Sequence, residues 1–200
     1  MLNLVLNRVN ISGNGLEKVK EFFRSENGEL EFSLNRIVPE PRELVENPLA
    51  NFFSFRDPND MNEYGYMELD SINEQLPKEE RLTVSEAKAM YQEYTEKYGT
   101  ASWYNWRCKN WGCKWDVRDC TIEETVHYMA IDFQTPWASP REALLKLSKM
   151  FPQTSIIVEY ADEDLGYNCG EYELLGGAEA SFQEWDHDTA REFWNWDDEE

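Results

Sequence analysis

The chain has 200 residues, with 19 Lys and Arg against 40 Asp and Glu, a net charge of −21. A polyanion of this strength is repelled by DNA, RNA and anionic membranes, which argues against sequence-independent binding to any of them while leaving room for a local basic groove. No apolar run approaches the roughly 18 residues of a membrane-spanning helix. Met1 to Gly13 carries no basic region, long apolar stretch or small-residue cleavage site, so a cytoplasmic location is expected.

In chain order, Leu2, Leu4 and Leu6 alternate with Asn3, Val5 and Asn7, and predict a strand that continues through Val9 and Ile11. Ser12-Gly13-Asn14-Gly15 is a turn. Leu16, Val19, Phe22 and Phe23 share one face of a short helix stopped at Asn27-Gly28. Leu30, Phe32 and Leu34 alternate with Glu31, Ser33 and Asn35, the pattern of a second strand. Residues 1–39 thus read as a first β-α-β unit.

Residues 40–122 are too long for a structureless loop and predict an inserted, mostly helical region. A short helix is expected over 43–55, and a polar loop over 56–80. Thr83 and Glu86 form a capping box for a helix with Ala87, Met90, Tyr91, Tyr94 and Tyr98 at helical spacing, closed by Gly99.

A second β-α-β unit follows over 123–161. Val126, Tyr128, Ala130 and Phe133 suggest a strand, which places His127 opposite the apolar face. Ser139, Pro140 and Glu142 predict a capped helix start, and Ala143, Leu144, Leu147 and Phe151 its buried stripe. Ile156, Ile157, Val158 and Tyr160 make the next strand. Two such units define an α+β, ferredoxin-like split β-α-β sandwich, an antiparallel sheet with two helices on one face. Residues 162–200 form an acidic extension. It holds a hairpin around Gly176-Gly177, a short helix from about Asp188 to Trp194, and a frayed tail at Asp197–Glu200.

Two features bear on function. Residues 159–200 hold fifteen acids and one base, Arg191, a net of −14, whereas the first 158 residues carry −7. Asp162, Glu163, Asp164, Glu171, Glu173, Glu184, Asp186 and Asp188 are the candidate partner-binding surface. Carboxylates steer a basic partner, and interspersed aromatics such as Trp185 and Phe193 anchor it. The second feature is residues 103–115, with four tryptophans and a tyrosine. Trp103, Trp106, Arg107, Trp111, Lys114 and Trp115 are candidates for an aromatic and basic site that stacks a base or nucleotide. The competing expectation is an aromatic plug that docks the insertion.

Trp103-Tyr104-x-Trp106 and Asn110-Trp111-Gly112-x-Lys114-Trp115-Asp116 resemble the signature of a phage- and plasmid-encoded family with a YubB-type ferredoxin-like domain. Thr135-Pro136-Trp137-Ala138-Ser139-Pro140, Leu147-Ser148-x-x-Phe151-Pro152 and Tyr160-x-Asp162-Glu163 are similar to further stretches of it. The resemblance implies a mobile-element origin and a ferredoxin-like fold, and brings no catalytic residues with it. That family usually has a small hydroxyl residue where Cys113 stands, which argues against a shared thiol chemistry.

No catalytic motif is present: there is no nucleophile elbow, phosphate-binding glycine loop or zinc-protease pair. His127 and His187 are the only histidines. Cys108, Cys113 and Cys120 lack zinc spacing, Cys169 is remote, and Asp162-Glu163-Asp164 lacks the glycine and terminal glutamate of a calcium loop. No enzyme activity, cofactor or metal is expected. The expected function is inhibition of a basic, nucleic-acid-handling defence protein of the host, such as a restriction or CRISPR component, by nucleic-acid mimicry. The alternatives are a nucleotide- or small-ligand-binding module built on the tryptophan segment, and a protein–protein adaptor without inhibitory role.

Overall fold

A computed structural model describes residues 3–195. Leu2, Trp196 and the expected frayed tail at Asp197–Glu200 lie outside the described residues. The chain divides into two compact units, Met1–Pro39 with Asn110–Glu200, and Glu40–Lys109.

The first unit begins with β1 (Leu4–Gly13), in which Val5, Asn7, Val9 and Ile11 are buried and their neighbours are not. Gly13 turns the chain at φ +105°, where a Cβ would lie 2.7 Å from the Gln153 carbonyl oxygen. Helix α1 (Leu16–Phe23) follows and buries Leu16, Val19 and Phe23.

The strand expected at Leu30–Leu34 does not form. Leu30 makes one isolated bridge to Arg24, and Leu34–Ile37 is a short helix, α2. The apolar alternation is satisfied by packing instead. Phe32 sits against Phe23 and Phe133, with ring centroids 5.0 and 5.1 Å apart. Asp116 then takes the Leu34 and Asn35 amides and the Ser33 hydroxyl at 2.7–3.2 Å, which favours a helical start over a strand.

The second unit is helical: α3 (Arg42–Glu46), α4 (Ala50–Phe55), α5 (Glu63–Gln75), a 3-10 turn (Lys78–Glu80), α6 (Val84–Tyr98) and α7 (Trp103–Asn110), the last residue of α7 falling in the first unit. The helix expected over 43–55 is split at Asn47-Pro48, because proline disfavours helical backbone in the residue before it. The loop expected over 56–80 is mostly α5, whose Asn62 cap accepts from the Gly65 amide at 3.0 Å. Its apolar stripe is thin: Leu69 is buried, while Tyr64, Tyr66 and Met67 face solvent. Helix α6 has the expected capping box and closes at Gly99, φ +78°. Leu49, Phe52, Phe53, Leu69, Ala87 and Ala101 form the core, with Met90, Tyr91 and Tyr94 against it.

Back in the first unit come β2 (Arg118–Glu124), β3 (Tyr128–Pro136), α8 (Arg141–Met150), β4 (Thr154–Asp162), β5 (Cys169–Leu175), β6 (Ala178–Glu184) and α9 (His187–Trp194). The sheet order is β2-β3-β1-β4-β5-β6, and every neighbouring pair is antiparallel. The first four strands with α1 and α8 are a split β-α-β sandwich in which β2, not residues 30–34, completes the first unit. The hairpin β5–β6 extends the sheet beyond β4.

Two local expectations are corrected. The buried positions of β3 are Met129, Ile131 and Phe133, while Val126 and His127 lie exposed in the β2–β3 turn. Ser139 does not cap α8; it hydrogen-bonds the Tyr172 hydroxyl at 2.9 Å, and Pro140 occupies the cap position without a side-chain bond.

Candidate interaction surface

Successive side chains of a strand point to opposite faces. The residues that bury Val9, Ile131, Val158 and Tyr172 therefore aim the intervening ones at the other face. Cross-strand register lines up Thr121, Asp132, Arg8, Glu159, Glu171 and Gln183 in one row across all six strands. In the next row Ile157 stands opposite Glu173, and Ala130 opposite Glu123. Arg8 grips Asp132 through two bonds of 3.0 Å. Glu159 flanks Arg8 on the other side, with Glu171 directly opposite it. Burial pushes the Glu159 carboxyl above the usual glutamate range. The neighbouring charges of Glu171 and Asp132 add to that rise, and Arg8 opposes it. Glu173 accepts from the Ser155 hydroxyl at 2.7 Å.

Helix α9 covers one end of this face. Ala161, Cys169 and Ala190 form a small core there, with Leu165, Trp185, Phe193 and Trp194 packed around it. The Trp194 indole donates to the carbonyls of Ala161 and Asp162 at 3.1 and 3.2 Å. The Arg8 guanidinium lies 5.4 Å from the Phe193 ring centroid, at the boundary between covered and open sheet.

The eight acids singled out in the sequence do not form one array. Glu171 and Glu173 lie on the open face. Asp162 is a correction: it is only 6% exposed, and its carboxylate accepts from the Asn3 and Asn168 side chains and the Asp164 amide. Its work is to shape the β4–β5 loop. Glu163 is half-buried and Asp164 exposed in that loop. Glu184 is exposed on β6 opposite Gly170, on the other face of the sheet. Asp186 caps α9, and the Thr189 amide and hydroxyl hold its carboxyl below the usual range. Asp188 is exposed in the first turn of the same helix. Sequence reasoning missed Asp132, Glu159 and Glu123. The phase opposite to the apolar one in β3 and β4 was the signal for the first two.

The tryptophan segment is divided. In the helical unit Trp106 is buried. Arg107 pairs with Glu40 through two bonds of 2.7 Å, and its guanidinium stacks 4.7 Å from the Trp103 ring centroid. The Trp103 indole donates to Asn51 at 3.3 Å. In the sheet unit Trp111 is buried. Its indole donates to the Val38 carbonyl at 2.9 Å, and its own carbonyl accepts from the Ala143 amide at 3.2 Å. Gly112 lies so close to the start of α8 that a Cβ would stand 3.1 Å from the Arg141 nitrogen. Lys114 sits over the rings of Trp115 and Trp137, 4.4 and 4.6 Å from their centroids. In the sheet unit, two of the stretches behind the family resemblance therefore meet at the start of α8. Trp137 remains 41% exposed and holds φ +66°, uncommon for a bulky residue, with its carbonyl accepting from Asn168 at 3.0 Å.

Although the Cys120 residue is exposed on β2, partial desolvation by its surroundings and the charges of Asp116 and Asp132 push its thiol upward, which disfavours the reactive thiolate. Cys113 is buried and bonded to the Trp115 carbonyl at 3.2 Å. His187 lies exposed beside Asp188 at 3.3 Å. Among the described residues no group of three or more His, Cys, Asp and Glu is placed to hold a metal ion, and no helix is long and apolar enough to cross a membrane.

Residues 114–200 match a family model described as the ferredoxin-like domain in Api92-like protein. The segment from β2 to α9 is therefore a ferredoxin-like domain whose β1 and α1 come from the N-terminal end of the chain. The chain is also similar to the crystal structure of protein api92 from Yersinia pseudotuberculosis, at 14% identity and a TM-score of 0.49, over 92% of this chain and 98% of that one. No curated protein matches the chain.

Proposed function

We propose that this chain is an acidic binding protein that inhibits a basic, nucleic-acid-handling protein of its host in the cytosol. The carboxylates of the open sheet face stand in for phosphates. The observation that carries the reading is the row Asp132, Glu159 and Glu171 with Glu173 beside it, four acids around Arg8, with Arg118 further along the same face opposite Gln134. Rigid strands hold the row, so little ordering is needed when a partner docks. Like charges set directly opposite each other, as in Glu159 and Glu171, work against sheet stability, and binding gives a reason for keeping them. The resemblance to a phage- and plasmid-encoded family supports a mobile-element origin, and with it a host defence protein as target.

Affinity capture from bacterial lysate at low and high salt, with mass spectrometry, tests this reading. The expected result is a near-stoichiometric nucleic-acid-binding protein, released at high salt because exposed charges are screened beyond about 8–10 Å. It is also released by competing duplex DNA or RNA, and its activity falls when this chain is added. A partner that resists both salt and nucleic acid contradicts mimicry. A competed partner whose activity is unaffected makes the chain an adaptor instead.

One observation favours a second reading, a ligand module on the tryptophan segment: Trp137 keeps 41% of its surface exposed beside Lys114. Saturable quenching of tryptophan fluorescence by nucleotides, lost in Trp137→Ala, is the result that would select it.

A further inference from the structure

Among the described residues strand β2 pairs with β3 alone and lies at the edge of the sheet order. All of β2 except half-buried Ile122 is exposed. Beside it runs a groove of 540 Å³, with Glu29, Leu30 and Glu31 on one wall, Ile122 and Glu124 on the other, and Arg24 among the lining residues. That volume lies within the range of binding pockets, about 300–1,000 Å³. Ile122 and Glu124 face the groove because they stand opposite buried Ile131 and Met129. The other wall is the segment with the apolar alternation of a strand but only one bridge, and Phe32 fixes it against Phe23 and Phe133. The lining carries three carboxylates to one guanidinium. Arg24 lies 3.8 Å from Glu124 and donates to the Gly28 carbonyl at 2.7 Å, and Lys20 lies 3.7 Å from the other Glu124 oxygen, so Glu124 is already paired and Glu29 and Glu31 carry the groove's negative charge.

We infer that this edge and groove take up an extended segment of a basic partner protein by strand addition. The segment's main chain bonds to the free edge of β2. Its alternate Lys or Arg side chains enter the groove, stems against Leu30 and Ile122 and charged ends near Glu29 and Glu31. Main-chain bonds supply affinity in this mode, and the alternate side chains supply selectivity. The inference rests on the preceding reading only for the partner's positive charge, and it uses different residues.

The test is fluorescence anisotropy of a labelled peptide of alternating Lys and Val, about eight residues long to match a strand, titrated with the full-length protein. Saturable binding is expected. Glu29→Lys with Glu31→Lys weakens it at least about tenfold through charge reversal, and so does N-methylation of alternate peptide amides. The open-face variant E159Q/E171Q/E173Q leaves it unchanged, so failure here and failure of the open-face reading are separable. Absence of saturable binding, equal affinity of the N-methylated peptide, or loss only in the open-face variant overturns the inference. Sedimentation of the free protein supplies the last check. A monomer agrees with a vacant edge, whereas a dimer dissociated by Ile122→Arg assigns the edge to a second copy and overturns it too.

Discussion

The two faces of the sheet are built from the same strands under opposite demands. On the covered face Val9, Ile131, Phe133, Val158 and Leu174 are fully buried among the helices of the sandwich. On the open face the intervening positions hold Arg8, Asp132, Glu159 and Glu171. Burial leaves the first set little freedom, since each apolar side chain contributes roughly 1.5–3 kcal/mol by leaving water. The second set is released from that demand, and it contains a like-charge pair that folding alone disfavours. The contrast teaches that burial fixes the residues of one side, whereas the other side holds charges that folding alone does not require and that the proposed function assigns to partner binding.

Substitutions on the two faces should separate cleanly. Phe133→Ala on the covered face removes a ring packed on Phe32 and should cost about 3–5 kcal/mol in urea unfolding. A loss below about 1 kcal/mol would break the assignment of stability to that face. Asp162→Ala should cost about 1–2 kcal/mol, because it removes the acceptor shared by the Asn3 side chain, the Asp164 amide and the Asn168 side chain, the last of which keeps the Trp137 carbonyl. Its partner binding should follow the loss of folded protein and no more; a binding defect in fully folded protein would restore Asp162 to the interaction surface.

Glu159→Gln gives the smallest effect and carries a sign. The folded-state carboxyl lies above its ordinary value, so the favourable contribution of the protonated group is complete below the unfolded pKa. It is lost as pH rises through the folded value. The variant should therefore melt about 1–2 °C higher than the parent at neutral pH, with solvent screening keeping the gap small. The gap should close below about pH 4. A lower Tm at neutral pH would mean that the Arg8 attraction outweighs burial.

Much of the fold was legible because burial writes period-two and helical patterns directly into β1, β4, α1, α6 and α8. Strand β2 was not, because as an edge strand it buries none of its residues and reads Arg-Asp-Cys-Thr-Ile-Glu-Glu. Residues 30–34 misled for the converse reason: Phe32 and Leu34 are buried, yet through ring packing and α2 rather than through pairing. The candidate surface was half legible. Local density of acid marked Glu171 and Glu173, but it cannot tell a surface carboxylate from the loop-shaping Asp162 or the helix-capping Asp186. Asp132 and Arg8 are distant in sequence, and only the register of β1 against β3 brings them together.

The most direct test of the division between faces is the triple variant E159Q/E171Q/E173Q, read for Tm and for partner capture on the same sample. The account predicts a Tm at or above that of the parent, with capture of the basic partner reduced at least about tenfold, as loss of complementary charge implies. A variant that melts well below the parent, or one that captures the partner undiminished, would contradict it.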